Sequence, residues 1–182
     1  MGSIPIPCST FLLFFSAIDN ILLLTETNMK ILIFGLPGSG KTTLAKDLKE
    51  RLRAVHWNAD AVRANINKDL GFTDADRIEQ ATRMGWLCDQ VVAAGHWAIA
   101  DFVCPTPDTR AAFGPAVTIW MDTIKEGRFE DTNKIFVPPE PGQYDYRIDR
   151  MDSAFYAKYL FEHLDFQKHP SIWKAMFLGG VQ

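Results

Sequence analysis

Ile31-Leu-Ile-Phe-Gly-Leu-Pro-Gly-Ser-Gly-Lys41-Thr42-Thr43 is the stretch on which the fold turns. Ile31 to Phe34 run without a polar break into Gly35, the pattern of a short strand buried on both faces. The glycines at 35, 38 and 40 let the chain turn tightly and aim successive N–H groups into one concavity suited to phosphate oxygens. Beyond the loop, Leu44, Ala45, Leu48 and Leu52 recur at helical spacing, with Lys46, Lys49, Glu50 and Arg51 on the other side, so a helix is expected over 42–53. The dipole of that helix adds positive potential where the loop ends. Strand, glycine loop and helix in this order read as a phosphate loop for a nucleoside triphosphate. Gly35, Pro37, Gly38, Ser39, Gly40, Lys41, Thr42 and Thr43 are expected to hold ATP. Lys41 is expected to reach the β- and γ-phosphates, and the Thr42 hydroxyl to ligate Mg²⁺.

Working outward, Val55 to Trp57 reads as a second strand and a helix follows from about Ala61. Leu70-Gly-Phe-Thr73 is turn-like, with Asp74 placed to cap a helix that runs to about Ala94 and stops at Gly95. Trp97 to Ala100 is a third strand ending in Asp101, and Val117 to Trp120 a fourth. Strands alternating with helices imply crossover units, hence an α/β fold of the three-layer P-loop type, a parallel sheet with helices on both faces. The region 125–143, with Pro138-Pro-Glu-Pro-Gly142, excludes a buried strand or a long helix. It is a surface loop or a lid over the nucleotide. After Ser153, the spacing of Phe155, Tyr159, Leu160 and Leu164 predicts one amphipathic helix.

The chain has 182 residues, 47% hydrophobic and 23% charged, which suits one ordinary globular domain. A net charge of −3 gives no global attraction to polyanions, so neither a nucleic-acid partner nor stable membrane association is expected. Cys8, Cys88 and Cys104 lack C-x-x-C spacing, which argues for reduced thiols in a cytoplasmic protein over a disulfide framework or a zinc site. Residues 1–28 carry no Lys or Arg, and Asp19 and Asn20 split their apolar stretch below the length of a span. They read as an unstructured extension ahead of a start at Met29, with a kinase-type domain over 29–164. The tail 165–182 closes on Ala175-Met-Phe-Leu-Gly-Gly, either a frayed tail or, by a loose resemblance, the opening strand of a truncated nucleotidyltransferase module. The sequence leaves oligomerisation open.

A magnesium site needs a further oxygen ligand, and phosphoryl transfer to a hydroxyl needs a base. Asp60, just past the second strand, and Asp101, ending the third, are the candidates; each could instead be a plain cap or turn residue. Between 58 and 83, Arg63, Lys68, Arg77 and Arg83 lie among Asn65, Asn67 and Phe72. Arginine forks suit phosphate or sulfate oxygens and an aromatic ring suits a purine face. A solvated helix face is the plainer alternative, and the better one for Lys68.

Together these residues resemble the adenylylsulfate kinase family. That family carries Gly-Leu-x-Gly-x-Gly-Lys-[Ser/Thr]-Thr, Asp-Gly-Asp-x-Val-Arg, Asn-x-Asp-Leu-Gly-Phe-Ser, Asp-Arg-x-Glu-Asn and Ile-Ser-Pro. Here the matching stretches are Gly35–Thr43, Asn58-Ala-Asp60-Ala-Val-Arg63 and Asn67-Lys-Asp-Leu-Gly-Phe-Thr73. Asp76-Arg-Ile-Glu-Gln80 and Val103-Cys-Pro105 follow in order, and the resemblance runs from about Lys30 to Pro139. It implies an ATP-dependent kinase acting on the 3′-hydroxyl of adenosine 5′-phosphosulfate. Arg63, Asn67 and Arg77 would surround the phosphosulfate and ribose. Phe72 and Phe129 would flank the adenine, and Asp60 would be the base or magnesium partner. Asn58, Gln80 and Cys104 depart from the pattern, and the lid 127–139 is short. They leave room for another nucleotide, sugar or polynucleotide end as acceptor, or for a nucleotide-binding switch with little turnover. A chain begun at Met29 is expected to be as soluble and as active as the full chain, checked by comparing yield and specific activity; a large loss on removing 1–28 contradicts this reading.

Overall fold

The computed structural model describes residues 29–164, so the expectations for 1–28 and 165–182 lie outside the described residues. The elements are β1 (Lys30–Gly35), α1 (Lys41–Leu52), β2 (Val55–Asn58), α2 (Ala59–Asn65), α3 (Asp74–Ala93), β3 (Ala98–Phe102), α4 (Pro107–Phe113), β4 (Val117–Met121), α5 (Glu130–Ile135), β5 (Tyr146–Ile148) and α6 (Ser153–His163). The five strands form one sheet in the order β2-β3-β1-β4-β5, with each neighbouring pair parallel. β1 lies in the middle with all six residues buried.

The two-residue period of β1 divides the core. Ile31 and Ile33 face a layer built from Leu44, Ala45 and Leu48 of α1 and Ala157 and Leu160 of α6. Leu32 and Phe34 face the opposite layer, which holds Val62 of α2, Met84 and Cys88 of α3, and Phe113 of α4. The expected α/β architecture with helices on both faces is therefore present. The chain moves from β1 to β2 and β3 on one side, then crosses to β4 and β5 on the other. The loop after β1 thus sits at the reversal of strand order, where ligand crevices open in such sheets.

Several local expectations are corrected. Thr73, not Asp74, caps α3: its hydroxyl accepts from the Asp76 N–H while the Asp76 carboxylate accepts from the Thr73 N–H. Asp101 lies inside β3 rather than at its end. The helix after Ser153 buries Ala157, Leu160 and Leu164, whereas Phe155 and Tyr159 stay exposed and stack on each other, 6.4 Å between ring centroids. The buried stripe runs through Ala157, Leu160 and Leu164, with the Tyr156 ring packed against it, and 155 and 159 lie on another face of the helix. The region 125–143 holds one short helix, α5, and no long one.

Two elements were not anticipated. The signal for α4 is present in the sequence, because Thr106 and Thr109 form a capping box around Pro107 at the first helical turn. β5 has only three residues and follows a Pro/Gly-rich stretch, so periodicity carries no information there.

α3 and α4 meet at Gly85, where an added Cβ would overlap the backbone carbonyl of Phe113 and lie 3.0 Å from its carbon. In an open helix, Gly→Ala stabilises by up to ~1 kcal/mol. Here Gly85→Ala is expected to destabilise by about 1–3 kcal/mol through overpacking. Urea denaturation checks the sign; an unchanged or raised midpoint contradicts the close approach of α4.

Candidate nucleotide and acceptor site

The phosphate loop is shaped by what surrounds it. Gly38 and Gly40 take φ values of 95° and 90°, in the left-handed region that side-chain-bearing residues rarely occupy. No side chain caps α1, so the N–H groups of its first turn point into the loop concavity without an intramolecular partner from a capping residue. Ser39 is fully buried with an unpartnered hydroxyl, and the Thr123 hydroxyl donates to its carbonyl at 2.8 Å. Lys41 is 8% exposed and its Nζ donates to the Leu36 carbonyl at 2.8 Å. Burial pulls the Lys41 ammonium down to about 8; Asp101 and Asp60 hold it up, and Arg128 adds to the downward pull. A buried cation facing uncapped N–H groups is the arrangement a polyphosphate would complete.

Beneath Thr42 lies a compact polar cluster. The Thr42 hydroxyl donates to Asp101 Oδ2 at 2.5 Å, Asn58 Nδ2 reaches both carboxylate oxygens at 3.1 and 3.2 Å, and His56 Nε2 lies 2.5 Å from Oδ1. Burial alone would raise the Asp101 carboxyl, but the donors from His56, Thr42 and Asn58 outweigh it and hold it below the usual carboxylate range. Asp101 is therefore neither a cap nor a turn residue. The oxygens of Thr42 and Asp101 suit a hard divalent cation such as magnesium, which takes few protein ligands beside water and phosphate. Among the described residues no group of three or more His, Cys, Asp or Glu forms a metal site, in keeping with so sparse a ligand set. His56 was not anticipated, because a lone histidine in a four-residue strand carries no pattern.

Asp60 is exposed in the first turn of α2 and makes no hydrogen bond or ion pair with the described residues, since Asn58 Oδ1 caps that helix through the Ala61 N–H. Its charge reaches both Lys41 on the donor side and Arg63 on the other. Arg63 donates to the carbonyls of Leu70 and Gly71 and lies 4.7 Å from the Phe72 ring centroid. Arg77 donates to the Phe72 carbonyl at 3.0 Å and lies 5.6 Å from the same ring. Burial, and then the neighbouring Arg77, lowers the Arg63 guanidinium below its ordinary range, while Asp76 and Asp60 oppose the shift. Two converging cations beside a ring that is 68% exposed make a surface for an anion joined to an aromatic group.

The remaining acceptor-side residues are placed differently. Asn67 is only 2% exposed and donates to Gln80 Oε1 at 2.9 Å, so it braces the α2–α3 junction from below. Arg83 is held bidentately by Asp69 at 2.9 Å and by Glu79 at 2.7 Å. Phe129 is 56% exposed at the start of α5, on the segment that crosses the phosphate loop. Gly127 packs so closely on Pro37 that a Cβ would lie 2.9 Å from its ring, and Asn133 exchanges two 2.9 Å hydrogen bonds with the Gly127 backbone. At the far end, the Val137 N–H donates to the Pro105 carbonyl at 2.8 Å and Arg110 donates to the Val137 carbonyl at 3.2 Å. The segment 127–137 thus lies as a strap, packed on the phosphate loop at Gly127 and tied to Pro105 and Arg110 at Val137. Cys104 is buried with φ 47°, and burial pushes its thiol up to about 12 despite Thr109 and Arg110, which favours the neutral thiol.

Sequence reading missed a cavity of about 210 Å³ on the other side of the phosphate loop, lined mainly by apolar groups of Thr43, Leu44, Met121, Ile148 and Tyr156, with Asp152 at its rim. It adjoins Gly40 and is large enough to take a flat heteroaromatic group. Among the described residues no helix is long and apolar enough to cross a membrane.

The adenylylsulphate kinase family model matches residues 27–124. The adenylyl-sulfate kinase of Clostridium kluyveri is 39% identical over 93 residues, covering 48% of this chain and 47% of that protein. The bifunctional enzyme NodQ of Azospirillum brasilense is 35% identical over 100 residues, 49% of this chain and 16% of the relative. The chain therefore spans about half the length, or less, of these relatives. The Mycobacterium tuberculosis APS kinase CysC, solved in complex with AMPPNP and APS, superposes with a TM-score of 0.63. That match covers 76% of this chain and 98% of the other, and at 22% identity it bears on the fold.

The Lys41 environment sets a pH dependence. Below about 8 the ammonium is charged and available to a polyanion; above about 8 the free protein must take up a proton to bind one. Affinity for a non-hydrolysable ATP analogue is expected to be flat below that pH and to weaken by up to about tenfold per pH unit above it. Titration calorimetry from pH 6.5 to 9.5 checks this; affinity independent of pH across about 8 contradicts the site.

Proposed function

The chain belongs to the adenylylsulphate kinase family, and on that premise we propose that it transfers the γ-phosphoryl group of ATP to the 3′-hydroxyl of adenosine 5′-phosphosulfate. The carrying observation is the place of Asp60, whose charge reaches Lys41 of the phosphate loop and Arg63 of the arginine–phenylalanine cluster. That carboxylate has no hydrogen-bond partner among the described residues, and its charge acts both on a site suited to a polyphosphate and on one suited to an anionic nucleotide.

In this reading the N–H groups from Gly38 to Thr43 hold the β- and γ-phosphates, and Lys41 leaves the Leu36 carbonyl to neutralise charge on the transferring group. The cavity beside Thr43 and Tyr156 takes the adenine of ATP. Arg63 and Arg77 bind the phosphosulfate, Phe72 and Phe129 flank the acceptor's adenine, and Asn67 positions the loop that carries Phe72. Asp60 accepts the proton of the attacking hydroxyl or orients it. Thr42 and Asp101 would hold magnesium, which when bound draws charge from the phosphate oxygens. The strap from Gly127 to Val137 shields the reacting groups from water.

A second reading, the same transfer to another nucleotide or sugar hydroxyl, is favoured by Asn58 in place of the pattern's first aspartate and by the short strap. One assay separates the two: purified protein, Mg-ATP and a panel of acceptors, with product identification. A 3′-phosphorylated product from adenosine 5′-phosphosulfate is expected, and Lys41→Ala is expected to abolish turnover. Arg63→Ala is expected to raise KM for the acceptor about tenfold or more, through loss of charge-assisted hydrogen bonds, with little change for ATP. Transfer only to another acceptor sinks the first reading, and no acceptor-dependent turnover sinks both.

A further inference from the structure

Asn58 stands where the family pattern has the first aspartate, and in the pairing of β2 with β3 its register partner is Asp101. The carboxylate missing from β2 is thus present one strand across, and Asn58 bridges to it with one amide group. His56 is two residues before Asn58, on the same face of the strand. Its side chain is 9% exposed, and Nε2–H donates to Asp101 Oδ1 while the Thr42 hydroxyl donates to Oδ2. The terminal torsion of an aspartate is broad, so a carboxylate held at one oxygen still turns. Held from both sides, this one has a single orientation.

We propose that His56 is a positioning residue for the cation site: by engaging Oδ1, it fixes the Asp101 carboxylate with Oδ2 turned toward the Thr42 hydroxyl. This rests on the proposed function only in that the cation arrives with a nucleotide at Thr42. Asn58 cannot do the same alone, because its single nitrogen is divided between the two oxygens at 3.1 and 3.2 Å and also approaches Thr42 at 3.4 Å. The imidazole holds one oxygen only, and that asymmetry selects which oxygen faces Thr42.

The test uses His56→Leu, which fills the buried site without a donor, and His56→Gln, whose amide nitrogen replaces Nε2. The readout is binding of a fluorescent non-hydrolysable ATP analogue in magnesium titrations and in EDTA. His56→Leu is expected to raise the half-saturating magnesium concentration about tenfold or more while affinity in EDTA stays near wild type, as for loss of an outer partner of a metal ligand. His56→Gln is expected to restore most of the magnesium response. Unchanged magnesium dependence in His56→Leu overturns the proposal. So does equal weakening with and without magnesium, which marks a structural role, or failure of His56→Gln to restore. If His56→Leu does not fold, His56→Ala is read by the same criteria. A wild-type protein that binds no analogue at all overturns the proposed function; binding without a magnesium response overturns this inference alone.

Discussion

The approach of β1 to β4 governs much of this molecule. Gly35 ends β1 directly beside Met121, and a Cβ there would lie 2.5 Å from the Met121 carbonyl oxygen. With φ at 146°, the residue also takes a backbone conformation that L side chains rarely adopt. Only a glycine lets the chain leave the central strand at this depth and fold back before α1. The phosphate loop is consequently pressed against the end of β4, with the Thr123 hydroxyl holding the Ser39 carbonyl. The cavity beside Thr43 borrows Met121 and Ile148 from the same strand ends. Widening that contact would displace both the loop and the groups around it.

Charge is arranged around this loop in an economical way. Lys41 is buried with only a carbonyl for a direct partner, while Asp101 and Asp60 act on it from a distance. Asp101 is saturated by neutral or weakly basic donors, and among the described residues no lysine or arginine pairs with it. Arg63 and Arg77 lie outward on α2 and α3, and Arg83 is tied up by Asp69 and Glu79. The interior cation thus meets no competing carboxylate in direct contact, which keeps it free for an incoming polyanion.

The fold was legible in the sequence where periodicity and punctuation agreed. The alternation that sends Ile31 and Ile33 to one face and Leu32 and Phe34 to the other is invisible in a uniformly apolar run, yet the run itself implied burial on both sides. α1 appeared with its expected inner residues because its apolar stripe is continuous. Phe155 and Tyr159 misled, since apolar residues four apart marked one stripe while the buried one runs through Ala157, Leu160 and Leu164. At the site, Lys41, Thr42 and Asp60 could be named because a loop motif and a family pattern carry them. His56, Ile148 and Tyr156 could not, since only strand order and register bring them beside the loop from distant parts of the chain. Asn67 illustrates the converse: a patterned residue whose amide turned out to support its neighbours from within.

The side chains of Arg63 and Arg77 are tethered locally, although α2 and α3 themselves pack into the core. Arg63 and Arg77 hang on the carbonyls of Leu70, Gly71 and Phe72, a three-residue bend outside the sheet. The nucleotide half is instead bound into β1, β4 and α1. Substitutions in that bend can therefore reshape the arginine–phenylalanine surface while the framework of the phosphate loop stays in place.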